Sequence, residues 1–274
     1  AASTLTGWRS LQTDLQDPPP GEPDEDSGRR REITARRVKR YAPQPAITTR
    51  LGPFRLASFP VNAALQPWSI DAVNLDEHAD NPVHTDAGGQ AAGYAGAVVA
   101  GTTVYAYLTR PVAAAWGEEW VTGGTATVRF LGPVIADEHV DVVPAAATGA
   151  TVEARIGSAV AATLDASMVR DGLPEPSGIR LEPLVVPMDD GWVGYARRVG
   201  EDLPLYEERR LVHPVVWPSL ANRIFATQLV DGGWVHTRSV IRHLGAVRPG
   251  DTVVVEAFEI DRFETRSGER AVVD

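Results

Sequence analysis

Two histidines and several carboxylates crowd into one short segment, LDEHADNPVHTD, at residues 75–86. An imidazole in such company can take a proton from water and return it, while a polar neighbour orients that water. The segment leads into a long apolar stretch, Ala91 to Trp116, rich in Ala and Gly. A helix starting there offers free backbone N–H groups and the positive end of its dipole. That end is suited to holding a carbonyl oxygen as it gains negative charge. His84 and Asp80 are therefore the candidate proton-handling residues. Asp86 or Thr85 reads as the N-cap of the helix, and Asp80-Asn81-Pro82 is also good turn chemistry in its own right.

Other chemistries find little support. The chain has no cysteine, which removes disulfides, thiolate metal sites and thiol nucleophiles. Its six histidines include no HExxH arrangement and no pair four apart on a clear helix face, so no metal is expected. The 75–86 segment lacks the Gly and terminal Glu of a calcium loop. No GxSxG elbow, phosphate-binding loop or GxGxxG fingerprint occurs.

The elements that must position these residues are legible in outline. The length of the apolar stretch favours a helix, buried on most sides, with Pro111 breaking or kinking it. Strands are expected at Thr125–Phe130, His139–Pro144, Thr151–Ile156 and Ala159–Val169, punctuated by Gly and Pro. A buried helix followed by antiparallel strands indicates a helix packed in a sheet. Further upstream, Leu5, Trp8, Leu11 and Leu15 have the spacing of a short amphipathic helix. Residues 17–40 run from an acidic, Pro-rich stretch into a basic one and read as a mobile arm.

The order of elements then recurs. The segment VRFLGPVIADEHVDV (Val128–Val142) lines up without gaps on IRHLGAVRPGDTVVV (Ile241–Val255). Upstream, Asp80–His84 lines up with Asp202–Tyr206, and an apolar segment follows each, Val98–Leu108 and Val215–Phe225. Turn, helix and strand pair repeating in one order indicate an internal duplication.

Length and composition agree. At 274 residues, with 43% hydrophobic and 23% charged residues, the chain can bury ample core. A formal net charge of -10 argues against nucleic acid as a partner. No apolar run reaches the roughly 18 residues of a membrane span, and the N-terminus lacks a positive-then-apolar signal pattern. The expectation is a cytoplasmic protein that does not enter a membrane.

NPVHTD, the small-residue segment ending in VVAG, and the GG…VRFLGPV strand pair resemble the MaoC-like acyl dehydratases, which include the R-specific (type 2) enoyl-CoA hydratases. The resemblance covers about residues 50–170, and the second half matches at its strand pair but not at the site motif. It implies an α+β fold of two hotdog halves, each a long central helix wrapped by a curved antiparallel sheet. It implies an arm at 1–49, a site-bearing half at 50–175 and a degenerate half at 176–274. By position, His84 matches the family's catalytic His, Asn81-Pro82 its central pair, and Gly101 the glycine whose amide holds the thioester carbonyl. The family acid stands five residues before the His, where this chain has Ala79; Asp80 is the nearest acid. Ala100 stands where the family has a His before the Gly. In the second half, Tyr206 matches His84 and Pro218 falls opposite Gly101.

The expected activity is hydration of a 2-enoyl thioester, or dehydration of the (R)-3-hydroxyacyl thioester. His84 and Asp80 would position the water; Asn81 and Gly101 would bind substrate. The substrate would be an acyl-coenzyme A or acyl-carrier thioester, with no other cofactor, and two chains are expected to pair as a homodimer. Two alternatives stand beside this. One is an acyl-CoA thioesterase on the same fold, against which the Ala91–Leu108 segment lacks an interior acid. The other is a non-catalytic acyl-thioester binder or assembly protein, motivated by Ala79 and Ala100.

Overall fold

The computed structural model describes residues 8–15, 63–145, 150–168, 177–230, 232–265 and 268–274. Apart from residues 8–15, the expected arm at 1–49, and with it the start of the body near Arg50, lies outside these residues.

The chain opens with strand β1 (Trp8–Leu15). The first half then holds β2 (Trp68–Asp71), α1 (Asp86–Ala91), α2 (Gly101–Gly123), β3 (Thr125–Phe130), β4 (His139–Pro144), β5 (Thr151–Ile156) and β6 (Ala159–Ser167). The strands pair antiparallel in the order β2-β4-β5-β6-β3. Their period-two alternation buries Ala126, Val128, Val140, Val142, Val152, Ala154, Ala162 and Leu164. These join α2 side chains such as Val104, Tyr105, Leu108 and Val112 in one core. This is the helix-and-sheet arrangement that the resemblance implies for the first half.

The apolar stretch is not one helix from Ala91. Between α1 and α2, Val98 N–H bonds to Val83 O (3.0 Å), and Val99 N–H to Val134 O (2.7 Å). Cross-chain partners thus satisfy this backbone, and Gly93 with φ +87° turns it. Helix α2 also runs through Pro111 and is kinked instead at Gly117 (φ 65°). Pro111 cannot bond Tyr107 O, and the Trp68 indole N–H donates to that carbonyl instead (3.3 Å). Between Thr85 and Asp86 as caps, the structure selects Thr85, whose hydroxyl accepts from Gly88 N–H.

The second half holds β7 (Ile179–Arg180), β8 (Leu184–Pro187), the short helices α3 (Asp190–Val193), α4 (Tyr195–Arg198) and α5 (Leu205–Arg209), then α6 (Val216–Gln228), β9 (Trp234–His236), β10 (Arg238–Arg242), β11 (Thr252–Val255), β12 (Phe258–Thr265) and β13 (Gly268–Val273). The halves join where β3 pairs antiparallel with β10. There Thr127 faces Val240, Ala126 faces Ile241 and Val128 faces Ser239. Thr127 and Val240 are also matched by the sequence repeat, extended one residue upstream, and Val128 is matched with Ile241. Matched positions therefore exchange partners reciprocally, as a two-fold relation requires.

Residues 8–15 overturn the helix expected from the Leu5, Trp8, Leu11 and Leu15 spacing. They form a strand antiparallel to both β10 and β13. In the first half, β6 lies likewise between β3 and β5, antiparallel to both. Strand β1 thus takes the place in the second half that β6 holds in the first. Eight residues make a marginal isolated helix, whereas a strand between two edges finds ladder partners on both sides.

Candidate functional site

The Asp80–Pro82 turn delivers His84 at the end of a short 3-10 turn, Pro82–His84. Pro82 at its start supplies the fixed φ such a turn needs, and Thr85 N–H closes it onto Pro82 O (3.0 Å). Val83 is buried beneath it. The turn is laced to the segment before α2 by Val98 N–H on Val83 O. Asn74 Nδ2 holds His84 O (2.6 Å).

The His84 ring is oriented by one bond, from Nδ1 to Val98 O at 2.7 Å. A carbonyl only accepts, so Nδ1 carries the proton and neutral His84 presents the Nε2 lone pair. Burial lowers the His84 pKa, partly offset by the Val98 carbonyl, which favours the cation. The ring is therefore neutral at neutral pH and competent as a base. Near Nε2 lies Asn81 Nδ2 (3.4 Å), which also donates to Trp234 O in the second half (2.8 Å). Asn81 Oδ1 is buried without a hydrogen-bond partner among the described residues.

Three residues beyond Val98, helix α2 begins at Gly101. Its N-cap, Ala100, supplies no side-chain cap. Thr103 and Val104 N–H both use Ala100 O. Among the described residues, the N–H groups of Gly101 and Thr102 have no acceptor, and Thr102 Oγ1 is buried without a partner. Strand β9 packs against this start: a Cβ on Gly101 would lie 3.3 Å from His236 Cβ and 3.4 Å from Phe130 Cζ. Glycine is thus what the packing admits without displacement.

The structure brings His84, Asn81 and the approach to Gly101 together, and leaves Asp80 outside. Asp80 is exposed, and among the described residues it makes no hydrogen bond or ion pair. Val98 O fixes the His84 ring, and Asp80, expected to position water with it, lies on the exposed side of the turn. Asp86 bonds Ala97 N–H (3.1 Å) and so also serves structure.

Sequence reasoning did not place His78 beside His84. Its ring lies 5.9 Å from that of His84, centroid to centroid, at 63°. Its Nε2 meets Thr103 Oγ1 at 3.5 Å, and Thr103 Oγ1 meets Tyr195 OH at 3.1 Å. Burial, then the neighbouring His84, lowers the His78 pKa to about 4. Nothing in the sequence pairs Tyr195 with Thr103; only docking of the halves does. A second pair was missed too: His213 and Glu201, both fully buried, lie 3.2 Å apart. Among the described residues no group of three or more His, Asp or Glu could hold a metal ion, and no helix is long and apolar enough to cross a membrane.

No family model matches the chain, and no curated protein matches it. Solved structures do. Rv0216 of Mycobacterium tuberculosis, described as a conserved hypothetical protein with a double hotdog fold, is 14% identical over 76% of this chain and 89% of its own, with a TM-score of 0.47. HtdX (Rv0241c) of the same organism is 14% identical over 75% of this chain and 98% of its own, with a TM-score of 0.36. The fold assignment rests on the strand order above rather than on these likenesses.

Proposed function

We propose that this chain is a double-hotdog lyase that adds water to a 2-enoyl thioester, or removes it from the 3-hydroxyacyl thioester. The observation that carries the reading is the fixed orientation of His84, beside a helix start with unused N–H donors. Nδ1 is committed to Val98 O, so Nε2, which meets only a long contact from Asn81 Nδ2 (3.4 Å), is the atom that would take a proton from water.

In hydration, water gives a proton to His84 Nε2 as its oxygen bonds C3 of the enoyl group. The C2–C3 π pair moves toward the thioester, whose carbonyl oxygen gains charge against the Gly101 and Thr102 N–H groups. The imidazolium then returns the proton to C2, and the catalyst is restored. Dehydration is the reverse. Coenzyme A or an acyl-carrier arm would be part of the substrate, and the chemistry calls on no redox or metal group. Pairing of two chains and a cytoplasmic location belong to the same reading.

One observation favours a second reading: Asp80 does not reach His84, which suits an acyl-thioester binder without turnover. The two are separated by following loss of enoyl-thioester absorbance with crotonyl-CoA and a longer 2-enoyl-CoA, while counting free thiol released. Loss of absorbance without thiol supports the lyase, and loss of absorbance with a matching release of thiol indicates a thioesterase. Acyl-CoA binding with neither signal leaves the binder.

A further inference from the structure

Among the histidines of the molecule, His78 and His84 alone are only half-buried while facing one another, whereas His213, His236 and His243 are buried and His139 is exposed. Each of the facing pair has one ring nitrogen in its shorter contact, and His84 Nε2 also meets Asn81 Nδ2 at 3.4 Å. His84 commits Nδ1 to Val98 O. His78 commits Nε2 to Thr103 Oγ1, which is backed by Tyr195 OH. Whichever way the hydroxyl protons run in that chain, Nδ1 of His78 is its free nitrogen. Among the described residues no direct hydrogen bond joins the two rings, and 5.9 Å between centroids leaves the spacing of a water-bridged contact.

Resting on the lyase reading, we propose that His78 is a catalytic residue that holds the reacting water together with His84, its ring fixed by Thr103 and by Tyr195 from the second half. His84 moves the proton; His78 makes a hydrogen bond to the water and keeps its own protonation state. Its low basicity, caused by burial and by His84, agrees with that division. The pair does the orienting that an acid would do, in a chain whose Asp80 is exposed to solvent. The second half therefore contributes to chemistry through Tyr195 as well as through Trp234 O on Asn81.

The test is steady-state kinetics on a 2-enoyl-CoA for wild type, His84→Ala, His78→Ala, His78→Gln and Tyr195→Phe, with circular dichroism melts of each. The expected result is a fall of about 100-fold in kcat for His78→Ala at nearly constant KM, the scale of a lost positioning contact in proton transfer. Restoration of about tenfold is expected in His78→Gln, which keeps a side-chain hydrogen bond, or on adding free imidazole to His78→Ala. Tyr195→Phe falls by a smaller factor in kcat alone. An active wild type that loses turnover in His84→Ala but keeps it in both folded His78 variants would overturn the role of His78 and leave the lyase reading intact. A wild type without turnover on any chain length would overturn both.

Discussion

Each half carries a histidine on the approach to its main helix, and the two rings are held in opposite ways. In the first half, His84 donates from Nδ1 to a backbone carbonyl, leaves Nε2 with only a long contact from Asn81 Nδ2 (3.4 Å) and stays partly open. In the second, His213 Nδ1 accepts from Val215 N–H (3.1 Å), so Nε2 carries the proton and faces Glu201 (3.2 Å). Both nitrogens of His213 are spent, and its side chain and that of Glu201 are 0% exposed. Tyr206, matched with His84 by the repeat, packs its ring 4.3 Å from His213. Glu201 stands opposite Ala79 in the same matching. The first half lacks an acid at that place and has an available base; the second has the acid but has sealed it into a brace. The two halves thus differ in which ring nitrogen is firmly held: Nδ1 donates in His84, whereas Nδ1 accepts and Nε2 faces a carboxylate in His213.

The sharpest way to break that contrast is His84→Ala, expected to lower kcat on a 2-enoyl-CoA by about 1000-fold, within the range for a lost general acid–base, with the melting curve little changed. Next is His213→Ala, which leaves the Glu201 carboxyl buried without its partner; a loss of about 3 kcal/mol in urea unfolding is expected, with turnover per folded molecule retained. Gly101→Ala should cost about 1 kcal/mol, because its methyl meets His236 and Phe130, and should lower kcat through displacement of the helix start. Asp80→Asn is expected to change neither stability nor turnover more than about twofold, as an exposed substitution away from buried contacts. A large loss there would return the orienting role to Asp80.

Acidity sharpens the comparison further. Burial lowers the pKa of His236 and His243 to about 4 from an ordinary 6.5. A histidine whose folded pKa is depressed contributes stability that is present above its unfolded pKa and is lost as pH falls toward the folded one. Melting temperature should therefore be level above about pH 6.5 and decline from there toward pH 4. Turnover, limited by neutral His84, should fall on the acid side with an apparent pKa below 6.5, the direction that burial imposes.

Much of the fold was legible. Strands at Thr125–Phe130, His139–Pro144 and Thr151–Ile156 have the expected bounds, because period-two burial and Gly/Pro punctuation act locally. The Val128/Ile241 match revealed the duplication, and the two matched strands turn out to meet at the β3–β10 seam. The placement of His84 beside the approach to a helix was legible from NPVHTD and the apolar run behind it. Three things were not. The true helix start at Gly101 depends on Val98 and Val99 N–H donating to Val83 O and Val134 O. Strand β1 depends on a slot between β10 and β13, which no periodicity in WRSLQTDL announces. The His78–Thr103–Tyr195 chain and the Glu201–His213 pair each need tertiary docking, and lone polar residues in apolar segments look alike whether they are braces or machinery.

The central claim is that Nε2 of His84, and not the His213–Glu201 pair of the second half, moves the proton. Its most direct test is turnover of crotonyl-CoA by His84→Ala and by Glu201→Gln, each normalised to folded protein and set beside wild type. The account predicts that His84→Ala is inactive and that Glu201→Gln turns over as wild type does. Full turnover in His84→Ala, or its loss in folded Glu201→Gln, would contradict it.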